Sequence, residues 1–407
     1  MGRGVTGRPN ILLVVFDSLS AHDLALHLDD LPTLSRLSSE GRSFTNVYTC
    51  CPESSPSRAS LLTGLDIGVH ALWTDGVTLG KRETTVSEAF AAQGYRTWLV
   101  GRRQLAGVSN WTTEHARRRE YHAFDWSHGP LHRSRQNAYL VWLQQSASDQ
   151  YAAIFPRQAD PDDTAISDEQ RLAMMALPDA LSFNAWVAQR AGVHMGDQPL
   201  FGIAGFVVGQ TMGAAAAPVE TLNPHSLRQA DVALAMMLDG LPDNTIVVVT
   251  AGRGSVPDAN TTDFLQERAI NVPLILYSKA ARPEVMHETV STIDIAPTLY
   301  DLAGIHPPQR VQGVSLNSGP LRGWALSRMR NDKAAQQTAL RTDHWKLIVT
   351  HGDADATCLY DLGVDPAEAR NLANTQEHQG RLEAMMDLMI DARVALEDRL
   401  ERRVAKF

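Results

Sequence analysis

Apolar runs of strand length recur along the chain, with amphipathic stretches between them. Residues 11–16 read Ile-Leu-Leu-Val-Val-Phe, an unbroken β-rich run of the kind buried on both faces of a mostly parallel sheet. Further runs cover residues 95–100, 200–208 and 245–250. Between them, residues 31–41, 85–94, 177–191 and 225–241 read as helices; in the last, Leu227, Ala230, Leu234, Leu238 and Leu241 recur on one face. Strands and helices alternating in this way predict an α/β fold. Residues 339–348 change character and predict a hairpin turning near Thr342-Asp343. Residues 375–402 predict a closing helix with Leu382, Met385, Met389 and Leu396 as its buried stripe.

Residues 44–64 organise the rest. They read as an extended approach, a tight turn and a short helix. Ser55 before Pro56 predicts an N-cap followed by proline at the first helical position, where a missing N–H costs nothing. Leu61 and Leu62 supply a buried face, and Gly64 falls where a C-terminal stop is expected. Ser54 then lies just outside a helix N-terminus, with Arg58 about one turn in. Free N–H groups, a positive dipole end and a guanidinium suit a tetrahedral oxyanion. The same residues equally describe a capped helix packed under a loop.

Composition narrows the class. A chain of 407 residues can bury a large core, as one α/β domain or as a large domain with a small one. Hydrophobic content of 44% with 20% charged residues fits a soluble globular protein. A formal net charge of -9 argues against a general nucleic-acid surface. The apolar run at residues 11–16 is too short for a signal peptide or membrane span, so the cytoplasm is the expected location. Cys50, Cys51 and Cys358 show neither a disulfide framework nor metal-ligand spacing and are expected to pack. His122, His128 and His132 lack the spacing of a metal cluster and are expected at the surface, as is Arg117-Arg118-Arg119.

Ser54-x-Pro56-Ser57-Arg58, followed by Ala-Ser-Leu-Leu-Thr-Gly, resembles the sulfatase signature Cys/Ser-x-Pro-Ser-Arg-x-x-x-Leu-Thr-Gly. The Phe-Thr-Asn-x-Tyr lead-in matches in the same register. Sulfatases belong to the alkaline phosphatase superfamily. The resemblance continues through residues 245–250, 267–276, 290–304 and 311–316 into the tail at residues 359–372, and is weakest over residues 109–198. It implies a sulfatase-like α/β domain over residues 1–330, with a mostly parallel sheet flanked by helices. A small antiparallel α+β subdomain would follow over residues 331–407. In that family the first motif residue is oxidised to formylglycine, whose hydrate attacks sulfur. Ser54 holds this position, as in the serine-type branch; Cys51 lies too early to replace it. The resemblance sets Arg58 and Arg102 beside the reacting group, and makes Asp17, after the run at residues 11–16, a ligand of the metal, usually Ca²⁺.

The departures are chemical. A second aspartate that often follows the first is here Ser18. Gly-Lys-Trp-His-Leu becomes Gly101-Arg102-Arg103-Gln104-Leu105, and Gln104 cannot act as an acid or base. No histidine occurs between Met195 and Pro224, where the family has one that contacts sulfate. The two remaining metal ligands fall on Gly252 and Arg253. Ca²⁺ wants six or more oxygens, several from carboxylates, and Asp17 alone does not assemble such a site. No cofactor is therefore expected.

Two readings follow. In one, the chain is a pseudoenzyme whose cationic pocket (Arg58, Arg102, Arg253, Ser55 and Gln104) holds a sulfate or phosphate ester without turnover, a scaffold role bringing a protein partner. In the other, it is a divergent hydrolase with Ser54 or its formylglycine as nucleophile and the arginines as clamp. Arg253 is expected to fill the vacated metal position and pair with Asp17; the alternative is that it swings to solvent between Gly252 and Gly254.

Overall fold

The computed structural model describes residues 7–108, 114–115, 120–134, 136–156, 166–196, 199–208, 210–211, 221–255, 264–330, 336–352 and 355–397. Strand Asn10–Ser18, buried along its whole length, lies in the middle of an eight-stranded sheet. It runs parallel to Leu200–Phe206 on one side and to Thr245–Arg253 on the other. Outside Leu200–Phe206 come Arg96–Gly101 and Ala123–Trp126, also parallel. On the other flank Leu274–Tyr277 and Arg42–Phe44 run antiparallel to their inner neighbours, and Glu284–Met286 closes the edge. The mostly parallel sheet is thus present, with an antiparallel interruption on one flank. Its register sets Ser18 opposite Arg253, so the C-terminal ends of the two central strands share one rim. Such rims are where open α/β sheets build their sites.

Helix ends follow local chemistry. Thr85 caps Val86–Ala92 in a reciprocal capping box with Glu88. The predicted helix at residues 177–191 begins later, as Phe183–His194, because Ser182 caps it by accepting from the Ala185 N–H. Helix Pro32–Glu40 takes its cap from a distance: the buried Asp231 carboxylate accepts from the Thr33 and Leu34 N–H groups at 3.0 and 2.8 Å. Asp231 sits on helix Pro224–Leu238, so this contact also ties two helices together. The loop expected at residues 159–170 falls partly on residues 157–165, outside those described; Asp168 already begins helix Asp168–Met175. The arginine triplet at residues 117–119 lies outside the described residues too.

Ala325–Arg330, Gln336–Arg341, Trp345–His351 and Ala356–Asp361 form an antiparallel meander, with the predicted hairpin closing at Thr342. Helix Gln379–Ala395 packs on it through Met385 and Met389, joined by Leu396 just beyond. The three cysteines are free, with Cys50 and Cys51 buried. No described helix is long and apolar enough to cross a membrane.

Under helix Ser54–Thr63 sits His70, 5% exposed. Its Nδ1 accepts from the Leu72 N–H at 3.1 Å, leaving the ring proton on Nε2, 2.9 Å from Ser60 Oγ. Burial pushes this imidazole down to about 3. Protonation is therefore paid only by the unfolded chain at intermediate pH. Stability is expected to be full above the ordinary histidine value near 6.5 and to fall as pH drops from there toward 3, by ~1.4 kcal/mol per unit while His70 dominates. Urea titrations at stepped pH check this. His70→Asn, whose amide oxygen can accept from Leu72, should flatten the slope.

Candidate functional site

The signature forms helix Ser54–Thr63, buried throughout and closed by Gly64 in the left-handed conformation (φ 68°). Its start corrects the sequence expectation. Glu53, not Ser55, is the N-cap, and Ser54 lies inside the first turn. The Glu53 side chain makes no capping bond to this helix; its carboxylate accepts instead from Thr74 Oγ1 (2.9 Å) and the Asp75 N–H (3.1 Å). The Ser55 N–H, expected to serve an anion, donates to Asp75 Oδ1 at 2.7 Å.

Ser54, Arg58, Asp17, Arg102, Gln104 and Arg253 do gather at the rim. The partners differ from the expectation. Asp17 is paired with Arg102, not Arg253. With the Gln104 amide oriented to satisfy both neighbours, its nitrogen donates to Asp17 Oδ1 at 3.0 Å and its oxygen accepts from Arg102 Nη2 at 3.2 Å. Arg253 neither pairs with Asp17 nor swings away. It lies within strand Thr245–Arg253, and its Nε donates to Ser54 Oγ at 3.3 Å. Arg58, 1% exposed, donates through Nη2 to the Val15 carbonyl at 3.4 Å.

Charge dominates the electrostatics. Burial pushes the Asp17 carboxyl up, but Arg102, Arg253 and Arg58 outweigh it and hold the group below its ordinary value. Burial brings Arg58 down to about 10, which leaves it charged at neutral pH. Ser18 turns from the pocket, its hydroxyl donating to the Gly254 carbonyl at 2.9 Å. Gly252 is in close contact with the signature helix: a Cβ there would stand 3.2 Å from Arg58 Nε and 3.3 Å from Ser57 Oγ.

Two contributors escape a reading of the sequence. Glu114, buried, accepts from the Gln104 and Leu105 N–H groups (2.9 and 2.8 Å), Arg103 Nη1 (3.0 Å) and Trp126 Nε1 (3.3 Å). These bonds hold Gln104 in a left-handed conformation (φ 60°) unusual for a residue with a Cβ. His128 was expected at the surface. Instead it is partly buried, in ring contact with His132 (4.9 Å between centroids), and burial followed by the Arg102 charge pushes it down to about 3. His122 is exposed, as expected. The loop after Leu200–Phe206 falls mostly on residues 209 and 212–220, outside those described.

Comparison with known proteins places this arrangement. The family model "Sulfatase" matches residues 9–170 and 147–305, and "N-sulphoglucosamine sulphohydrolase, C-terminal" matches residues 261–395. Arylsulfatase K of Bos taurus is 24% identical over 90% of this chain and 78% of its own. An N-acetylglucosamine-6-O-sulfatase of Bacteroides thetaiotaomicron is 22% identical over 97% of this chain and 88% of its own. Among solved structures, a phosphonate monoester hydrolase from Silicibacter pomeroyi superposes with a TM-score of 0.75 at 18% identity, covering 96% of both chains. Another, in complex with its substrate D-glucosamine-2-N,6-O-disulfate, superposes at 0.67 with 18% identity over 97% of this chain and 99% of its own. With its signature helix, its sheet and its C-terminal meander all matched, the chain belongs to the sulfatase family.

Proposed function

We propose that this chain is a sulfatase-family pseudoenzyme, which binds a small sulfate or phosphate ester in a cationic pocket, needs no divalent metal and does not turn the ester over. The carrying observation is the company Asp17 keeps. Both of its oxygens are engaged, one by the Arg102 guanidinium and the other by the Gln104 amide. The residues present do not fit Ca²⁺: Ser18 faces elsewhere, Gly252 has no side chain, and Arg253 brings a positive charge to the position opposite Ser18. A hard cation needs several free carboxylate oxygens, and a guanidinium repels it. Gln104 cannot move a proton, and general acid–base catalysis is typically worth ~10²–10⁴-fold. Three arginines with a serine hydroxyl still suit a tetrahedral anion. The sulfated-sugar complex of the structural neighbour supports the same ligand class.

A second reading rests on the uninterrupted signature and on the Arg253 Nε to Ser54 Oγ contact. In it the chain is a divergent hydrolase, with Ser54 or its formylglycine as nucleophile.

Elemental analysis of protein purified without chelator is expected to find no stoichiometric Ca²⁺ or Mg²⁺; about one tightly held ion per chain would overturn the metal-free reading. Activated aryl sulfates should show negligible turnover, indistinguishable from Ser54→Ala. Turnover that vanishes in Ser54→Ala selects the hydrolase, and mass spectrometry of the Ser54 peptide reports whether the side chain is oxidised.

A further inference from the structure

The helix end that should greet an anion already holds one. The Ser55 N–H, in the first turn of helix Ser54–Thr63, donates to Asp75 Oδ1 at 2.7 Å. The loop bearing Asp75 is tied to the same end by Glu53, which accepts from the Thr74 hydroxyl and the Asp75 N–H. Behind this contact the pocket carries positive groups whose donors are not all used. Among the described residues, Arg58 Nε, in a side chain 1% exposed, and Arg253 Nη1 have no hydrogen-bond partner. Arg58, Arg102 and Arg253 all act on Asp17, and with Arg103, which holds the buried Glu114 and Glu120, four interior guanidiniums among the described residues stand against three carboxylates. The buried part of the site therefore offers more positive charge than it neutralises.

We propose that Asp75 is a built-in competitor: its carboxylate occupies the N-terminal end of helix Ser54–Thr63 and has to leave before a sulfate or phosphate ester can take that N–H. This rests on the anion-pocket reading above and adds a gate to it. Leaving asks only the carboxylate to move. Asp75 is exposed, so its side chain can turn to water while the bonds of Glu53 to Thr74 and to the Asp75 N–H hold the loop in place. The weakly bound state is then the resting one, and only a ligand carrying more negative charge than a single carboxylate displaces the side chain. A dianionic monoester meets that condition better than a diester with its single charge.

A plain helix cap and a competitor differ in their dependence on charge. Asparagine at position 75 keeps a side-chain oxygen of the same reach that can accept from the Ser55 N–H, but carries no charge. Wild type and Asp75→Asn would be titrated with inorganic sulfate and inorganic phosphate at an ionic strength held constant with chloride, by calorimetry and by the Ser55 amide resonance. A competitor requires Asp75→Asn to bind about tenfold more tightly, the effect of removing one nearby like charge at a surface dielectric. It also requires the wild-type Ser55 resonance to move at saturating sulfate. Asp75→Ser, uncharged and too short to reach the Ser55 N–H, should tighten binding at least as much, which guards against a folding defect in one variant. Equal or weaker binding by both variants while wild type binds overturns the competitor and leaves the pocket standing. Binding in neither wild type nor variants overturns both.

Discussion

Replacing Arg102 by alanine is expected to cost the fold roughly 3–5 kcal/mol, among the largest losses available from one change at the rim. Asp17 is 7% exposed and ends the central strand of the sheet, so it cannot move out to water without breaking strand pairing on both sides. Its charge is tolerated because the Arg102 guanidinium sits against one oxygen. Remove that group and the carboxylate stays buried with only the Gln104 amide and the more distant charges of Arg253 and Arg58. Urea unfolding of Arg102→Ala measures the loss. The double variant Asp17→Asn, Arg102→Ala should recover most of it, because an amide in place of the carboxylate removes the uncompensated charge. A single variant within about 1 kcal/mol of wild type would mean that Arg253 can take over the pairing.

A comparable loss is expected from Lys346→Met, at the seam between the main sheet and the meander. Lys346 is wholly buried, with its Nζ 3.2 Å from Glu267 and 2.5 Å from Glu368. Glu267 begins a short helix, Glu267–Ile270, that leads into the antiparallel flank of the main sheet; Lys346 is on a meander strand. Burial already pushes the Glu368 carboxyl up against the pull of Lys346. Without the ammonium, the largely buried Glu368 carboxylate keeps only the Glu267 N–H, while the partly exposed Glu267 keeps Arg341 and Tyr48, and the cost should be ~3 kcal/mol, the lower end for a broken buried pair. Because the seam is affected rather than either core, the predicted signature is a meander that opens first. Hydrogen exchange in Trp345–His351 should accelerate before exchange in Asn10–Ser18 does. Uniform acceleration would show that the two layers unfold as one unit.

The fold was legible in the sequence because its central strands announce themselves. The run at residues 11–16 has no polar break, and the Ser18–Arg253 register follows once the two strands are neighbours. The helix start was misread by two residues because Ser-Pro looks like a cap followed by proline, whereas Glu53 takes the cap position with no side-chain bond to advertise it. At the site, the gathering of Asp17, Ser54, Arg58, Arg102, Gln104 and Arg253 was legible, but not who holds whom. Strand register fixes where a side chain begins. It does not decide whether a long guanidinium reaches the carboxylate beside it or the hydroxyl across the rim. Glu114 and Asp75 were invisible for another reason: each is a lone acid in a polar stretch, and backbone N–H groups that any residue could supply are among its partners.

Gly252 bears on how such a site can change. A side chain placed there would begin only 3.2 Å from Arg58 Nε, a contact tight enough that the arginine or the strand has to give. A carboxylate introduced at that position alone would also meet Arg253 beside it and find Asp17 already held by Arg102. Each single change therefore lands in a setting arranged for the residue it replaces. On the metal-free reading proposed above, a cation site could be built here only through several simultaneous changes. Single substitutions would alter what the pocket holds without supplying an ion site, so the rim behaves as a ratchet.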